Sequence, residues 1–247
     1  MCIRDRAINE AGVLALPARL VAGSRSPSPP TIPGACPGSS PAAGAGRPFH
    51  LGAMTLTPVI RRAEADDIPV IIGQIDSAAA WLREEKNTNQ WAKPWPDEET
   101  RNGRIIRGID RGATWMVEYG GAVAGTITYR NQANPRLWTQ AELSERAVYV
   151  SRLIVDRGYA GLGLGAALID WAGMCGIEQW RADWIRVDIW TTNIGLHNYY
   201  KAQHFEYLRT VEVEHEWDYP SAVLFQKSTA QINMAAARQF KVVEEVA

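Results

Sequence analysis

The sequence DRGYAGLGLGAALIDWAG, residues 156–173, joins a strand-like segment to a helical one through a loop rich in glycine. The residues before it, AVYVSRLIV at 147–155, are mostly β-branched or aromatic and include no glycine or proline, which predicts a buried strand. After the loop, apolar residues recur every three or four positions, which predicts a helix with one apolar face. These residues are Leu164, Ala167, Leu168, Trp171, Ala172 and Cys175. The segment is therefore predicted to be a strand, a glycine loop and a helix.

This loop is suited to binding an anion. Glycine allows positive φ and lets the backbone approach a ligand closely. The first turn of a helix presents unpaired N–H groups at the positive end of the helix dipole, where phosphate oxygens bind well. A P-loop would need a lysine and a serine or threonine after the last glycine, but Ala166 and Ala167 stand there. Binding of a nucleoside triphosphate is therefore not predicted.

Two other interpretations of the loop stay open at this point. Gly161, Gly163 and Ala166 satisfy the GxGxxA form of the nicotinamide dinucleotide fingerprint, and Asp183 or Asp188 lies at about the distance of a ribose-binding acid. The loop is also compatible with a tight turn that only lets the helix pack against the strand. The neighbouring sequence has to decide between them.

Composition sets the class of protein. The chain has 247 residues, 46% of them hydrophobic and 21% charged, which suits one globular domain with tails. Its formal net charge is -1 and it has no basic block, so nucleic acid is not an expected partner. No apolar run approaches the roughly 20 residues of a membrane-spanning helix, so no membrane partner is expected.

Neither the cysteines nor the histidines show the spacing of metal ligands, so no metal is expected. The three cysteines are odd in number and far apart, which predicts a reducing, cytoplasmic location.

The first 53 residues differ from the rest of the chain. They hold eight of its 14 prolines and show no apolar periodicity, so residues 1–53 are expected to form a disordered extension rich in Pro, Gly, Ser and Ala. The opening MCIRDR resembles a translated sequencing-adaptor remnant, and Met54 starts a plausible domain. An artefact of gene calling is therefore one explanation of the extension. The expected domain spans 54–229, and 230–247 is expected to be a C-terminal tail with a loose helix.

The order of elements after Met54 follows from local patterns. Strands are predicted at 57–63, at 113–129 as a hairpin, and at 147–155, 184–193, 211–217 and 221–226. Helices are predicted at 64–86, within 97–110, after the glycine loop, and at 193–205 with Asn193 as its cap.

This order, with a glycine loop after the fourth strand, resembles the GNAT superfamily of acyl-coenzyme A-dependent N-acetyltransferases over roughly residues 57–228. The resemblance implies an α/β (α+β) fold with a mixed, mostly antiparallel sheet of about seven strands and flanking helices. It also implies that the sheet is splayed between the fourth and fifth strands, 147–155 and 184–193.

Two separated motifs carry the resemblance. The loop signature Q/R-x-x-G-x-G/A falls on Ala160, Gly163 and Gly165, with alanine in place of the first residue. The second signature is an asparagine, a tyrosine seven residues later, and a Gly-Phe pair. Here it falls on Asn193, Tyr200 and His204-Phe205, with histidine in place of glycine.

The resemblance implies that acetyl-coenzyme A is the co-substrate. The loop amides would hold its pyrophosphate, and its pantetheine arm would pair like an added strand with the fourth strand. The cofactor-binding residues so implied are Leu153, Ile154, Val155, Ala160, Gly161, Leu162, Gly163, Leu164, Gly165, Ala166, Asn193 and Tyr200.

The implied reaction is N-acetylation of a primary amine, on a small molecule or a peptide, by direct attack in a ternary complex. Tyr200 corresponds to the family's general acid, and Asp188 is a candidate base acting through a water. Each also has a structural interpretation: Tyr200 as a packed aromatic, and Asp188 as a partner of Arg152 or Arg186. A non-catalytic acyl-coenzyme A sensor and a nicotinamide-dependent oxidoreductase are the alternative functions, and a homodimer stays open.

Overall fold

The computed structural model describes residues 13–15, for which only the backbone is considered, and residues 56–212 and 220–243. The strands are β1 (Val13–Ala15), β2 (Val59–Arg62), β3 (Thr114–Tyr119), β4 (Ala122–Arg130), β5 (Ala147–Val155), β6 (Trp184–Ile189), β7 (Glu206–Thr210), β8 (Val223–Ser228) and β9 (Lys241–Val243). The α-helices are α1 (Ile68–Lys86), α2 (Glu98–Asp110), α3 (Gln140–Ser144), α4 (Leu164–Trp180), α5 (Ile194–Ala202) and α6 (Met234–Ala237). Most of residues 1–53, predicted to be disordered, lie outside the described parts.

The described strands form one mixed sheet in the order β7-β8-β6-β5-β4-β3-β2-β9, with β1 beside β5. Five of the eight strand pairs are antiparallel; β1 with β5, β2 with β9, and β5 with β6 are parallel. The seven strands β2 to β8 correspond to the predicted sheet, so the predicted fold class is confirmed.

The sheet opens between β5 and β6, which are the predicted fourth and fifth strands. Their pairing runs only from Ala147 opposite Trp184 to Tyr149 opposite Arg186. Beyond Tyr149, β5 continues to Val155 without pairing with β6. This confirms the splay, and it leaves one backbone edge of β5 available to another extended chain.

Helices cover the two faces of the sheet. The apolar side of α4 packs on one face with residues of α5, in a cluster that includes Trp171, Leu196 and Tyr200. The apolar side of α1 packs on the other face with α2, around Ile71 and Ile105. Because successive side chains of a strand point to opposite faces, the residues of β5 and β6 divide between these two environments.

The structure forms an edge strand, β7, at Glu206–Thr210, just before the predicted strand 211–217. Most of that predicted strand, 213–217, lies outside the described residues. β7 is an edge strand that pairs only with β8 among the described strands, and its side chains are half-buried or exposed. Such a strand has little of the alternation that a sequence pattern detects. Within 230–243, where a loose helix was predicted, the structure forms the four-residue α6 and the strand β9.

An ion pair fixes the short helix α3 against β7. Arg209 donates from Nη1 and Nη2 to the two carboxylate oxygens of Glu142, each at 2.7 Å. This guanidinium lowers the pKa of Glu142 to about 2, although burial acts in the opposite direction. The pair therefore holds α3 beside the opening of the sheet, where Arg186 donates to the backbone carbonyl of Glu142.

No described helix has the length and apolar character needed to cross a lipid bilayer. The described residues also contain no group of three or more His, Cys, Asp or Glu side chains arranged to hold a metal ion.

Candidate active site

The glycine loop starts α4 in the way the sequence predicts. Gly161 and Gly163 have φ of 83° and 74°, in the left-handed region that suits glycine. Gly163 is the N-cap of α4 and supplies no side chain, so no side-chain acceptor caps the first turn. An added Cβ at either glycine would meet no atom within 4 Å. The loop therefore presents backbone N–H groups next to open space.

A cleft of about 530 Å³ lies above this loop, between the end of α1 and the start of α5. Eight of the predicted cofactor-binding residues line it: Val155, Ala160, Gly161, Gly163, Leu164, Gly165, Ala166 and Asn193. Four do not: Leu153, Ile154, Leu162 and Tyr200. Leu162 is 41% exposed and lies outside the cleft, whereas the other three are fully buried.

Two cations that the sequence analysis did not assign to the site line the same cleft. The guanidinium of Arg157 lies 4.4 Å from the ring centroid of Trp81, and Nζ of Lys86 lies 5.2 Å from the centroid of the same ring. The described residues that line the cleft include no carboxylate. The cleft is therefore positively charged around a helix N-terminus, which favours a phosphate-bearing ligand.

The edge of β5 that β6 leaves unpaired is occupied by another extended segment of the chain, β1. The backbone of Val13–Ala15 runs parallel to Leu153–Val155, with Val13 opposite Leu153 and Ala15 opposite Val155. This is the edge at which a pantetheine arm is expected. Its backbone groups are therefore in position to bind a strand-like ligand.

Tyr200, on α5, lies in the core cluster that packs under α4. It is 0% exposed, and its ring contacts those of Phe205 and Tyr199 at centroid distances of 5.0 and 5.7 Å. Its hydroxyl has no hydrogen-bond partner among the described residues. Burial raises the pKa of Tyr200 well above its usual value, and the charges of Tyr199 and Asp188 raise it further. Tyr200 is thus a buried, protonated phenol whose hydroxyl has no acceptor among the described residues, and it does not line the cleft.

Asp188 lies on β6 and is 1% exposed. Its neighbours Val187 and Ile189 belong to the core under α4, so alternation places Asp188 toward the other face. Of the two suggested salt-bridge partners, Arg186 pairs with Glu145, and a salt bridge to Arg152 stays a prediction. Asp188 is close enough to Tyr200 for its charge to raise the pKa of the phenol. Tyr200 belongs to the cluster under α4, so the two candidate side chains approach β6 from opposite faces, and their shared catalytic role stays a prediction.

Asn193 lines the cleft, but its side chain is used within the protein. Its Oδ1 accepts from the N–H of Leu196 at 3.0 Å, which confirms that Asn193 caps α5. Its Nδ2 donates to Oε1 of Gln90 at 2.6 Å. Asn193 therefore joins the start of α5 to the loop after α1, and contact with a cofactor stays a prediction.

Comparisons with known proteins agree with this geometry. The model of the acetyltransferase (GNAT) family matches residues 76–205. The chain is 28% identical over 146 residues to YesJ of Bacillus subtilis (strain 168), named as an uncharacterized N-acetyltransferase; the match covers 58% of this chain and 78% of YesJ.

Solved structures show the same likeness. A GNAT family acetyltransferase from Listeria monocytogenes 4b F2365 is 26% identical, with a TM-score of 0.54 over 69% of this chain and 94% of that one. A GNAT family acetyltransferase from Streptococcus agalactiae 2603 is 18% identical, with a TM-score of 0.52 over 69% and 95%, and it supports the fold. Because the family model matches more than half of the chain, and the splayed sheet and glycine loop agree with it, the chain belongs to the GNAT acetyltransferase family.

Proposed function

We propose that the protein is an N-acetyltransferase that moves an acetyl group from acetyl-coenzyme A to a primary amine, on a small molecule or a peptide, by direct attack in a ternary complex. The observation that carries the proposal is the positively charged cleft at the N-terminus of α4, next to the β5 edge that β6 leaves unpaired.

Binding is divided between the loop and the edge of β5. The N–H groups of residues 163–166 and the cations Lys86 and Arg157 hold the pyrophosphate, because they surround one cleft with positive charge. The backbone of Leu153–Val155 pairs with the pantetheine arm. Since β1 pairs with the same three residues, the arm takes the place of β1 when it binds.

Acetyl-coenzyme A would supply the acetyl group as a thioester. The amine nitrogen forms a bond to the carbonyl carbon of this thioester, and the carbon–sulfur bond breaks. Asp188 receives the amine proton through a water, which restores the lone pair that attacks. As the tetrahedral intermediate collapses, the nitrogen releases its second proton to water, which leaves a neutral amide. Tyr200 donates its proton to the leaving sulfur and regains one from solvent, so one proton is released overall. The raised pKa of Tyr200 keeps the hydroxyl protonated before this transfer.

The fold favours this function over the alternatives. A nicotinamide dinucleotide fingerprint belongs to a parallel sheet, whereas most strand pairs here are antiparallel. An acyl-coenzyme A sensor would need the same cleft, so acetyl transfer is the result that separates it from an enzyme. We place the reaction in the cytoplasm, supported by the buried free thiol of Cys175.

Transfer of a labelled acetyl group tests the proposal. The protein is incubated with acetyl-coenzyme A carrying ¹³C in the acetyl group and with a panel of primary amines and peptides. We expect free thiol and labelled amide to appear in equal amounts for at least one amine, with no labelled protein. Initial rates should depend on both substrates as expected for a ternary complex. Binding without thiol release for every amine would instead support the sensor function.

A further inference from the structure

The loop that follows α1 is hydrogen-bonded to the segment between β6 and α5. Nε1 of Trp190 and Oγ1 of Thr192 both donate to Oδ1 of Asn89, at 3.0 and 3.1 Å. Nδ2 of Asn193 donates to Oε1 of the next residue in the loop, Gln90, at 2.6 Å. The partners are 101 to 103 residues apart in sequence, so these bonds join two parts of the chain that no local structure connects.

These hydrogen bonds link the two walls of the cleft above the glycine loop, which we call the coenzyme cleft. One wall is the end of α1, and the loop with Gln90 follows directly after it. The other wall is the start of α5, where Asn193 is the N-cap. The lining residues of these walls are Trp81, Leu82 and Lys86 on α1, and Asn193, Gly195 and Leu196 at α5. The hydrogen bond between Gln90 and Asn193 therefore spans from one wall to the other.

The hydrogen bond between Gln90 and Asn193 has a fixed direction. Oδ1 of Asn193 accepts from the backbone N–H of Leu196 at 3.0 Å, and this N–H can only donate. The other end of the Asn193 amide, Nδ2, therefore donates to Gln90, whose oxygen accepts. Nε2 of Gln90 has no hydrogen-bond partner among the described residues. Asn193 thus caps α5 and holds the loop at the same time.

Packing alone does not explain Gln90. The residue is 0% exposed, and a buried polar group without a partner is costly, whereas an apolar side chain of the same size would fill the space without that cost. The next residue, Trp91, has φ of 59°, which is uncommon for a residue other than glycine. Such a conformation persists where surrounding contacts fix it, and it is most frequent at functional sites. The loop therefore has two unfavourable features beside the coenzyme cleft.

We propose that Gln90 is a positioning residue for coenzyme binding, which holds Asn193, and with it the start of α5, against the loop after α1. The inference rests on the proposed function, which places acetyl-coenzyme A in this cleft. Without the hydrogen bond the two walls separate more readily, and affinity falls with the fraction of molecules in which the cleft has the width the ligand needs. Asn193 then contributes to affinity through Gln90 and not through a contact of its own. Because both side chains act through one hydrogen bond, the loss of either should equal the loss of both.

A double-mutant cycle with coenzyme A as the probe tests this pair. Gln90→Met keeps the length of the side chain and removes the acceptor. Asn193→Ser keeps an oxygen that caps a helix well and removes the donor. Each single variant should bind coenzyme A at least about fivefold more weakly than the parent, the effect of one net hydrogen bond, and the double variant should bind about as weakly as either single one. Calorimetric titration measures the four dissociation constants.

Thr229→Val is the control for a general loss of stability. Oγ1 of Thr229 donates to the carbonyl of Ala182 at 2.9 Å, beyond the C-terminal end of α4 and outside the coenzyme cleft. This variant also loses one buried hydrogen bond, so it should lower the midpoint of thermal unfolding and leave the dissociation constant for coenzyme A unchanged. In turnover, Gln90→Met should raise KM for acetyl-coenzyme A and keep kcat within about twofold of the parent, as expected for a change in binding alone.

The outcomes separate this proposal from the proposed function. Parent-like binding by Gln90→Met would overturn the positioning role. So would fold-changes that multiply in the double variant, because Asn193 would then contact the coenzyme independently of Gln90. If the cycle gives the expected result while no amine is acetylated, the positioning role stands and the proposed function fails. If the parent does not bind coenzyme A, both are wrong.

Discussion

Replacing Tyr200 with phenylalanine is expected to lower the turnover number by a factor on the order of 10² to 10⁴, the usual contribution of a positioned general acid. The change keeps the ring, and therefore the contacts with Phe205 and Tyr199, and removes only a hydroxyl that has no hydrogen-bond partner among the described residues. The dissociation constant for acetyl-coenzyme A should stay nearly unchanged, because the proton transfer belongs to the transition state. Stopped-flow turnover and calorimetric binding measure the two quantities separately.

Tyr199→Phe is the matched control for this prediction. Tyr199 is the adjacent aromatic residue and lines the coenzyme cleft, so its variant should keep turnover close to the parent value.

The pH dependence gives a second readout of the role of Tyr200. The pKa of Tyr200 is raised well above its usual value of about 10, so ionisation of this phenol should not reduce the parent's turnover below about pH 10. The deficit of Tyr200→Phe should be largest near neutral pH and should shrink as pH rises, because a thiolate leaves more readily without a proton in alkaline solution. Equal turnover in parent and variant, with chemistry rate-limiting, would reduce Tyr200 to a packing residue.

Asp188→Asn is expected to lower kcat by a factor on the order of 10² to 10³, because an amide cannot accept the amine proton. The substitution preserves side-chain size at a position that is 1% exposed. The affinity for acetyl-coenzyme A should change little, since Asp188 does not line the coenzyme cleft. A pH profile of kcat/KM separates a base from a structural residue: the deficit should shrink at high pH, where more of the amine is already deprotonated in solution.

The control for this prediction is Asp183→Asn, one residue before β6. Asp183 is exposed and pairs with Arg146 at the surface, so its loss should leave kcat close to the parent value. Thermal unfolding of both variants shows whether the fold is intact. A folded Asp188→Asn protein with the parent's kcat and pH profile would contradict the assignment of Asp188 as the base.

Much of the fold could be predicted because its central elements follow strong local rules. The strand 147–155 was predicted with the bounds of β5, and the glycines placed the start of α4 at the correct loop. Short and half-exposed elements were harder to predict from the sequence. β7 has half-exposed residues that follow no clear period, and the five residues of α3 are too few to show a helical face. The seven central strands were therefore anticipated, but the exact position of the edge strand was not.

The candidate site could be predicted where its residues are adjacent in sequence. Six of the eight predicted residues that line the cleft come from the loop at 160–166, which the glycine spacing and the family resemblance identified. Lys86 and Arg157 were not assigned, because only the packing of α1 beside the loop brings both to the ring of Trp81.

Calorimetric titration with acetyl-coenzyme A is the most direct test of the central claim, that the cleft above the glycine loop holds this molecule. The parent is expected to bind one molecule per chain, with a dissociation constant between about 1 μM and 1 mM, the usual range for enzyme substrates. The variant Lys86→Gln with Arg157→Gln should bind at least about tenfold more weakly, because it removes the two cations of the cleft. Absence of binding by the parent at about 1 mM, or equal binding by parent and variant, would contradict this account of the site.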